Sequence, residues 1–289
     1  MNTIVTHNGV FHADEVFAIS VLTTLYPDAV VVRTRKAEVI SQADIAVDVG
    51  GGCFDHHHRG GQKARENGVP LASAGLVWSE FGRLYCQKIA TKLGVSFDLL
   101  KGIEAEVDKW VVEAIDAQDC GKSHSGRHCL NWVSAFNSSW LSTEDHFDKV
   151  VELAKDVIEQ EVAAIISRMA ARESVLKQIR EVPEGQQFIV LKTFLPWIDT
   201  VTKSEEAQAI LLVVFQDISG DWRVQTVPVG GEDRFANRYT FPEAWRGVSG
   251  EELESLTGVA GVTFCHPGGF ILGVKSLEGA LEVVKKALA

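Results

Sequence analysis

The sequence predicts an α/β protein, with an N-terminal parallel-sheet domain joined by a long helix to a smaller C-terminal α/β domain. Three observations predict it. Short β-branched runs alternate with helical apolar spacing in the first half. A sustained helical pattern follows Ser142, and short apolar runs with glycine-rich turns return after Pro183.

Thr3-Ile4-Val5-Thr6 reads as a short buried strand. Ala13 to Tyr26 places Val16, Ile19, Leu22 and Leu25 at helical spacing, and Pro27 closes the helix. Ala29 to Val32 and Ile45 to Val49 give two further strands, the latter stopped by three glycines. Residues 50 to 71 form a glycine-rich loop with basic residues, followed by helical stretches over Ala72 to Lys92 and Phe97 to Ala117. Ser142, with Asp145 three residues later, resembles a capping box, and the helix it opens runs through Val150, Leu153, Val157, Ile165 and Met169 to about Ile179. Pro183 and Gly185 end it. Beyond lie apolar runs at 188–191, 210–215 and 222–229 and a final helix near Leu277 to Leu288. The expected division is a catalytic metal-binding domain over 1–142, a helical connector over 143–183 and a substrate-binding domain over 184–289.

Composition narrows the function classes. A chain of 289 residues that is 46% hydrophobic has ample core material. No apolar run approaches the roughly 20 residues that cross a bilayer, and the N-terminus lacks the basic and apolar regions of a signal peptide, so no membrane partner is expected. The five cysteines are scattered without a CxxC pair, which fits reduced thiols and a cytoplasmic location. A net charge of −11 argues against a surface that coats long duplex nucleic acid. An anionic substrate must then be held locally, by metal ions and a few arginines, which favours a short or single-stranded one.

Three segments carry candidate chemistry. In the first, His7, His12, Asp14 and Glu15 fall within nine residues across a strand-to-helix turn. Acids in a first helical turn also complement the helix dipole, so Asp14 and Glu15 have a structural reading as well. The second runs from Asp48 at a strand end through Gly50-Gly51-Gly52 to Asp55-His56-His57-His58. A carboxylate ending an apolar strand is costly unless solvated, paired or bound to a metal. The third is Asp116-Ala117-Gln118-Asp119-Cys120-Gly121, which also reads as a solvated loop. Together they offer imidazole and carboxylate ligands without a thiolate pair. That mix suits Mn²⁺, Mg²⁺ or Zn²⁺ in hydrolysis better than a structural zinc.

The order His-x4-His-x-Asp, strand-terminal Asp, Asp-His-His and a later Asp resembles the DHH phosphoesterase superfamily, within it most of all the melanocyte-proliferating-gene exonuclease family. Blocks similar to that family span nearly the whole chain: His7 to Gly9, Phe11 to Glu15, Arg33 to Arg35, Ser73 to Val77, the Asp116/Asp119 pair, Pro242 to Gly247, and Phe264 to His266 with Gly269 to Ile271. The resemblance implies two divalent cations of manganese type. His7, His12 and Asp48 would hold one, and Asp14, Asp48, His56 and Asp119 the other, with Asp48 bridging. His57 would face the substrate, and Asp55 would orient a histidine. Asp116 is the weaker alternative to Asp119. From the second domain, Arg234, Arg238, His266, Gly268 and Gly269 would contact substrate phosphate. The chain departs from the family at Cys120, where asparagine is usual, and in the glycine-rich loop after His57.

The activity implied is phosphodiester hydrolysis, as a 3′–5′ exonuclease on RNA, short oligonucleotides or nucleotides, with a homodimer as a compatible assembly. The alternatives are a pyrophosphatase or nucleotide phosphatase, and a non-enzymatic metal- or nucleotide-binding protein.

Overall fold

The computed structural model describes residues 1–57, 63–230 and 236–289. The chain divides into two compact units, Met1–Ile166 and Ser167–Ala289. The division falls inside one helix, later than the expected connector would begin.

In the first unit, β1 (Thr3–Thr6) pairs in parallel with β2 (Val30–Arg33) and with β3 (Ile45–Ala46), giving the strand order β2-β1-β3. Valine and isoleucine supply these strands because branched side chains fit a pleated, covered sheet. Thr6 lies opposite Arg33, so the carboxyl ends of β1 and β2 open together. The third strand is shorter than its sequence suggests. Val47 still bridges to Phe54, but Asp48 turns the backbone into the left-handed region at φ 57°.

α1 (Ala13–Leu25) is buried at every position from Asp14 to Thr23. It has no solvent face, so polar residues on it demand an explanation. It packs against α3 (Ser73–Lys92), with the Phe17 and Trp78 rings edge-to-face at 6.0 Å. The one-turn α2 (Ala37–Ile40) comes between them in the sequence. The stretch expected as one helix over Phe97 to Ala117 is broken. A 3₁₀ turn precedes α4 (Ile103–Val107), a π-helical turn spans Asp108–Val112, and α5 (Glu113–Asp119) follows. The long helix α6 (Phe147–Arg180) starts at Phe147 rather than after Ser142. Asp145 Oδ1 accepts the Phe147 amide at 2.9 Å, whereas Ser142 is engaged in a tight turn with Ser139. Its buried stripe runs through Val150, Val151, Ala154, Ile158, Val162, Ile165 and Ile166, leaving Leu153 partly exposed.

The second unit holds a five-stranded sheet in the order β4-β5-β6-β8-β7. β4 (Phe188–Leu191) and β5 (Leu212–Gln216) are parallel, and β6 (Trp222–Thr226), β7 (Val262–Cys265) and β8 (Ile271–Val274) join antiparallel. Alternation along β5 sets two cores. Leu212 and Val214 meet Val224, Leu253, Leu272 and Val283, whereas Val213 and Phe215 meet Val175, Ile179, Trp197 and Val201. α8 (Gly250–Thr257) and α9 (Leu277–Ala287) cover the first face, and α7 (Ile198–Lys203) the second. The sequence had marked only turns where α8, β7 and β8 stand. Among the described residues, no helix is long and apolar enough to cross a membrane.

Candidate metal centre

The carboxyl edge of the first sheet gathers the histidines and acids. His7 follows β1. Its loop is pinned by Arg33, whose Nε and Nη2 donate to the carbonyls of His7 (3.3 Å) and Gly9 (2.6 Å). Asn137 closes the same loop, accepting from the Phe11 amide at 2.8 Å and donating to its carbonyl at 2.7 Å. The chain then enters α1, where the His12 amide donates to Glu15 Oε2 at 2.8 Å. This reciprocal cap fixes Glu15 on the buried side of the first turn.

Asp48 is the centre of the arrangement. Its Oδ2 lies 3.2 Å from His7 Nε2, and its Oδ1 lies 3.2 Å from His56 Nε2 and 3.3 Å from His57 Nδ1. Ser73 Oγ, at the start of α3, donates to Oδ1 at 3.0 Å. A non-glycine residue at positive φ is strained, and such strain persists where the surroundings over-determine it. Here the left-handed turn swings the carboxylate between two imidazoles that belong to different segments.

Asp55 is held by the Gly51 amide at 2.7 Å and the His57 amide at 3.0 Å, and its Oδ1 takes His57 Nδ1 at 2.9 Å. The other ring nitrogen of His57, a largely exposed side chain, is left for a ligand. Asp119, from the end of α5, puts Oδ2 3.3 Å from His56 Nε2. Asp116 turns elsewhere: Arg65 Nη2 reaches its Oδ2 at 2.7 Å, and the Gly75 amide donates to its Oδ1 at 2.9 Å. Arg65 also holds Asp108, so a buried ion-pair network ties the loop after the histidines to α3 and α5.

Among the described residues, four overlapping groups offer ligand atoms that lie within 4.8 Å of one another: His7-His12-Glu15-Asp48, Asp48-His56-His57, His12-Asp14-Asp119 and His56-Asp119-Cys120. Asp14 decides whether a metal fits. The residue is fully buried, and among the described residues neither carboxylate oxygen has a hydrogen-bond partner. A buried carboxylate without a partner is expensive. A cation bound there would remove the cost, and the donor set is the hard nitrogen-and-oxygen type that divalent ions take.

The charge pattern agrees. Burial, together with the nearby Glu15, Asp48 and Asp119, holds the Asp14 carboxyl well above the usual carboxylate range. His7 is raised to about 10, through its hydrogen bonds to Asp48 and then Glu15, against an opposing effect of burial. Burial also opposes ionisation of Asp48, but the His56 and His7 contacts prevail and hold it below the usual range. Protons thus occupy positions that cations would take, so uptake of a metal there would release protons.

The structure brings together His7, His12, Asp14, Asp48, Asp55, His56, His57 and Asp119. It adds Glu15, which the dipole argument had explained away, and the Cys120 thiol, 3.9 Å from His56 Nδ1. A helix buried all round was the missed signal for Glu15. The second unit carries its own candidates. His266 sits in the turn between β7 and β8, with Nδ1 accepting the Gly268 amide at 3.0 Å and its ring 4.3 Å from that of Phe270. Gly269 adopts φ 65°, and a Cβ there would meet Arg246 Nε at 2.7 Å. Arg238 is spent on backbone, donating to the carbonyls of Val201, Ala207 and Ile210. Arg234 lies outside the described residues.

The family described as "Uncharacterised protein family (UPF0160)", the MYG1 exonucleases, matches residues 3–288. The chain belongs to the MYG1 exonuclease family. It is 30% identical to the MYG1 exonuclease of Homo sapiens over 98% of this chain and 85% of that protein. It is 31% identical to the MYG1 protein of Schizosaccharomyces pombe over 99% of this chain and 97% of that one. To the MYG1 protein of Saccharomyces cerevisiae it is 33% identical, over 99% and 95%. No solved structure matches the chain. Family membership therefore covers both units, including the His266 turn and the segments that carry His7, Asp48, His56 and Asp119.

Proposed function

We propose that this protein is a two-metal phosphodiester hydrolase, a 3′–5′ exonuclease acting on RNA or short oligonucleotides. The observation that carries the reading is Asp48, whose two oxygens face His7 on one side and His56 on the other. That is the arrangement a bridging carboxylate needs. Relatives named exonucleases support the phosphodiester as the bond that is cut.

His7, His12, Glu15 and Asp48 would hold one cation, and Asp14, Asp48, His56 and Asp119 the other, with Mn²⁺ the favoured ion. Divalent cations supply Lewis-acid stabilisation of phosphoryl charge and make water acidic enough to attack at neutral pH. The chain's own residues orient the reaction. Asp55 accepts the Nδ1–H of His57, which fixes the tautomer and leaves the Nε2 lone pair toward the substrate. From there the ring would take a proton from the attacking water and, once protonated on Nε2, return it to the leaving oxygen. Ser73 and the Arg65–Asp116 network hold Asp48 and α3 in register. Residues 184–289, with His266, Gly268 and Gly269, are assigned to substrate recognition. The net charge of −11 favours short substrates, and the five scattered thiols fit a cytoplasmic location.

The deciding experiment assays the Mn²⁺-loaded protein against a labelled RNA ladder, a dinucleotide and pyrophosphate. Shortening of the ladder from its 3′ end is expected. Turnover of pyrophosphate alone would replace the reading with a pyrophosphatase. Two bound cations without turnover of any substrate would make the protein a binding module.

A further inference from the structure

The metal groups line a cavity of about 630 Å³. Pockets of about 300–1,000 Å³ enclose ligands far larger than one phosphoryl group. More of the substrate than its scissile phosphate is therefore enclosed, and the remaining lining must recognise it.

The polar side chains of this lining divide into spent and unspent groups. The carboxylates of Asp48, Asp55 and Asp119 each face an imidazole. Two donors are not matched. Arg35 lines the cavity and makes no hydrogen bond or ion pair among the described residues. It is also the one arginine or lysine among the described lining residues. Its neighbour Arg33, two residues earlier, is fully committed to backbone and to Asp145. The second donor is His128, also in the lining. Its Nδ1 accepts the Leu130 amide at 3.1 Å, so the ring proton sits on Nε2, which is buried and without a partner. Arg35 is exposed and solvated in the fold, but with the buried, unpartnered Nε2 of His128 it gives this cavity donors that suit an acceptor-rich, anionic ligand.

Topology sets the spacing. Arg35 follows β2, His7 follows β1 and Asp48 follows β3, so the carboxyl edge runs Arg35, His7, Asp48 in the order of the strands. Adjacent strands lie about 4.8 Å apart. The guanidinium thus belongs on the β2 flank, one strand away from the metal ligands of β1, where a second anionic group of the same substrate would lie.

We propose that Arg35 forms an anion subsite that binds a second phosphate of the substrate, next to the one being hydrolysed. The preferred substrates are then short oligonucleotides that carry a terminal phosphate. This rests on the hydrolase reading and adds to it a substrate class. A guanidinium binds a phosphate through two parallel N–H donors, which a lysine cannot reproduce.

The test compares dinucleotides with a phosphate at the 5′ end, at the 3′ end or at neither, using the full Mn²⁺-loaded chain, Arg35→Ala and Arg35→Lys. Bis(p-nitrophenyl) phosphate reports the chemistry without a subsite. The wild type is expected to favour one phosphorylated dinucleotide by about 10- to 150-fold in kcat/KM, the range of one charge-assisted contact. In Arg35→Ala that preference disappears, mainly through KM, while turnover of the unphosphorylated dinucleotide and of bis(p-nitrophenyl) phosphate stays within about twofold. Arg35→Lys restores part of it. The same preference in wild type and Arg35→Ala, or none in the wild type, overturns the subsite. Failure of the wild type to cleave bis(p-nitrophenyl) phosphate and all dinucleotides would instead sink the hydrolase reading. Calorimetric binding of the same dinucleotides then still reads the subsite, and equal affinities for all three would overturn it as well.

Discussion

Replacing Asp48 by asparagine isolates charge from shape. The backbone there sits at φ 57°, and asparagine is among the few residues that tolerate this region. The amide keeps the volume and one acceptor oxygen, so the Ser73 contact at 3.0 Å survives. What is lost is the negative charge between His7 and His56, each 3.2 Å away. One charge-assisted contact is worth about 1.5–3 kcal/mol. Two such contacts are lost together, about 3–6 kcal/mol, which predicts a fall of at least ~100-fold in kcat, the equivalent of roughly 2.7 kcal/mol. Bound metal, measured by elemental analysis after gel filtration, should fall below two ions per chain. The metal-free variant should still fold, because the hydrophobic core is intact, but melt below the parent, because His7 and His56 lose their buried counter-charge. Asp48→Ala gives the contrast. It loses the same charge and also the tolerance for a left-handed backbone, which adds about 1–2 kcal/mol of destabilisation. Near-normal turnover by Asp48→Asn with two Mn²⁺ retained would refute the bridging role.

Other perturbations probe the surroundings. Asp14→Leu removes a buried carboxylate that has no partner, so the metal-free variant should melt above metal-free wild type by about 1–3 kcal/mol of stability while losing metal binding. A lower melting point in chelator would contradict the assignment. Arg65→Ala strands Asp116 and Asp108, and breaking a buried pair costs about 3–5 kcal/mol, to be read by denaturant titration. Burial lifts Asp116 to about 7 despite Arg65, above its unfolded value near 3.8. The folded state then binds the proton more tightly, so this contribution to stability is complete below about pH 4 and lost as pH rises through about 7. The difference in melting temperature between wild type and Asp116→Asn should change across that window, and a constant difference would speak against it. His266→Ala should lower kcat/KM by about 10- to 150-fold with metal affinity unchanged, measured by parallel kinetics and Mn²⁺ titration. Loss of metal from this variant would undo the assignment of its unit to substrate.

The α/β class and most strands of the first unit were legible because short β-branched runs stand clear of their flanks. Thr3–Thr6 was read to the residue. Boundaries failed where a tertiary contact overrode the local pattern. The long helix begins at Phe147 because Asp145, itself paired with Arg33, caps it. β3 stops early because Asp48 must turn out of the sheet. In the second unit, α8 is too short and polar for a helical period to show, and β7 and β8 are four-residue runs broken by the glycine turn between them. At the site, the ordered histidines and acids pointed to a metal because so many ligand types fell in sequence. Glu15 escaped because a dipole argument already explained it, and His128 because a lone histidine carries no pattern. The employment of Arg238 on backbone carbonyls depends on a fold that brings residues 201–210 beside it, which no local signal announces.

The proposed ligands come from widely separated parts of the first unit: the turn after β1, the first turn of α1, the strand end at Asp48 with the histidine run, and the end of α5. None of these subsets is a metal site in an extended chain, so ions that bind the cluster would bind almost only the folded form. At an ion concentration of 100 times the dissociation constant, each such site would add about 2.7 kcal/mol to the folded state. The amount of intact protein in a cell would then follow the supply of the metal as well as the rate of synthesis. Starved chains would open more often and be cleared by proteases, so a single ion would serve both the reaction and the survival of the chain that performs it.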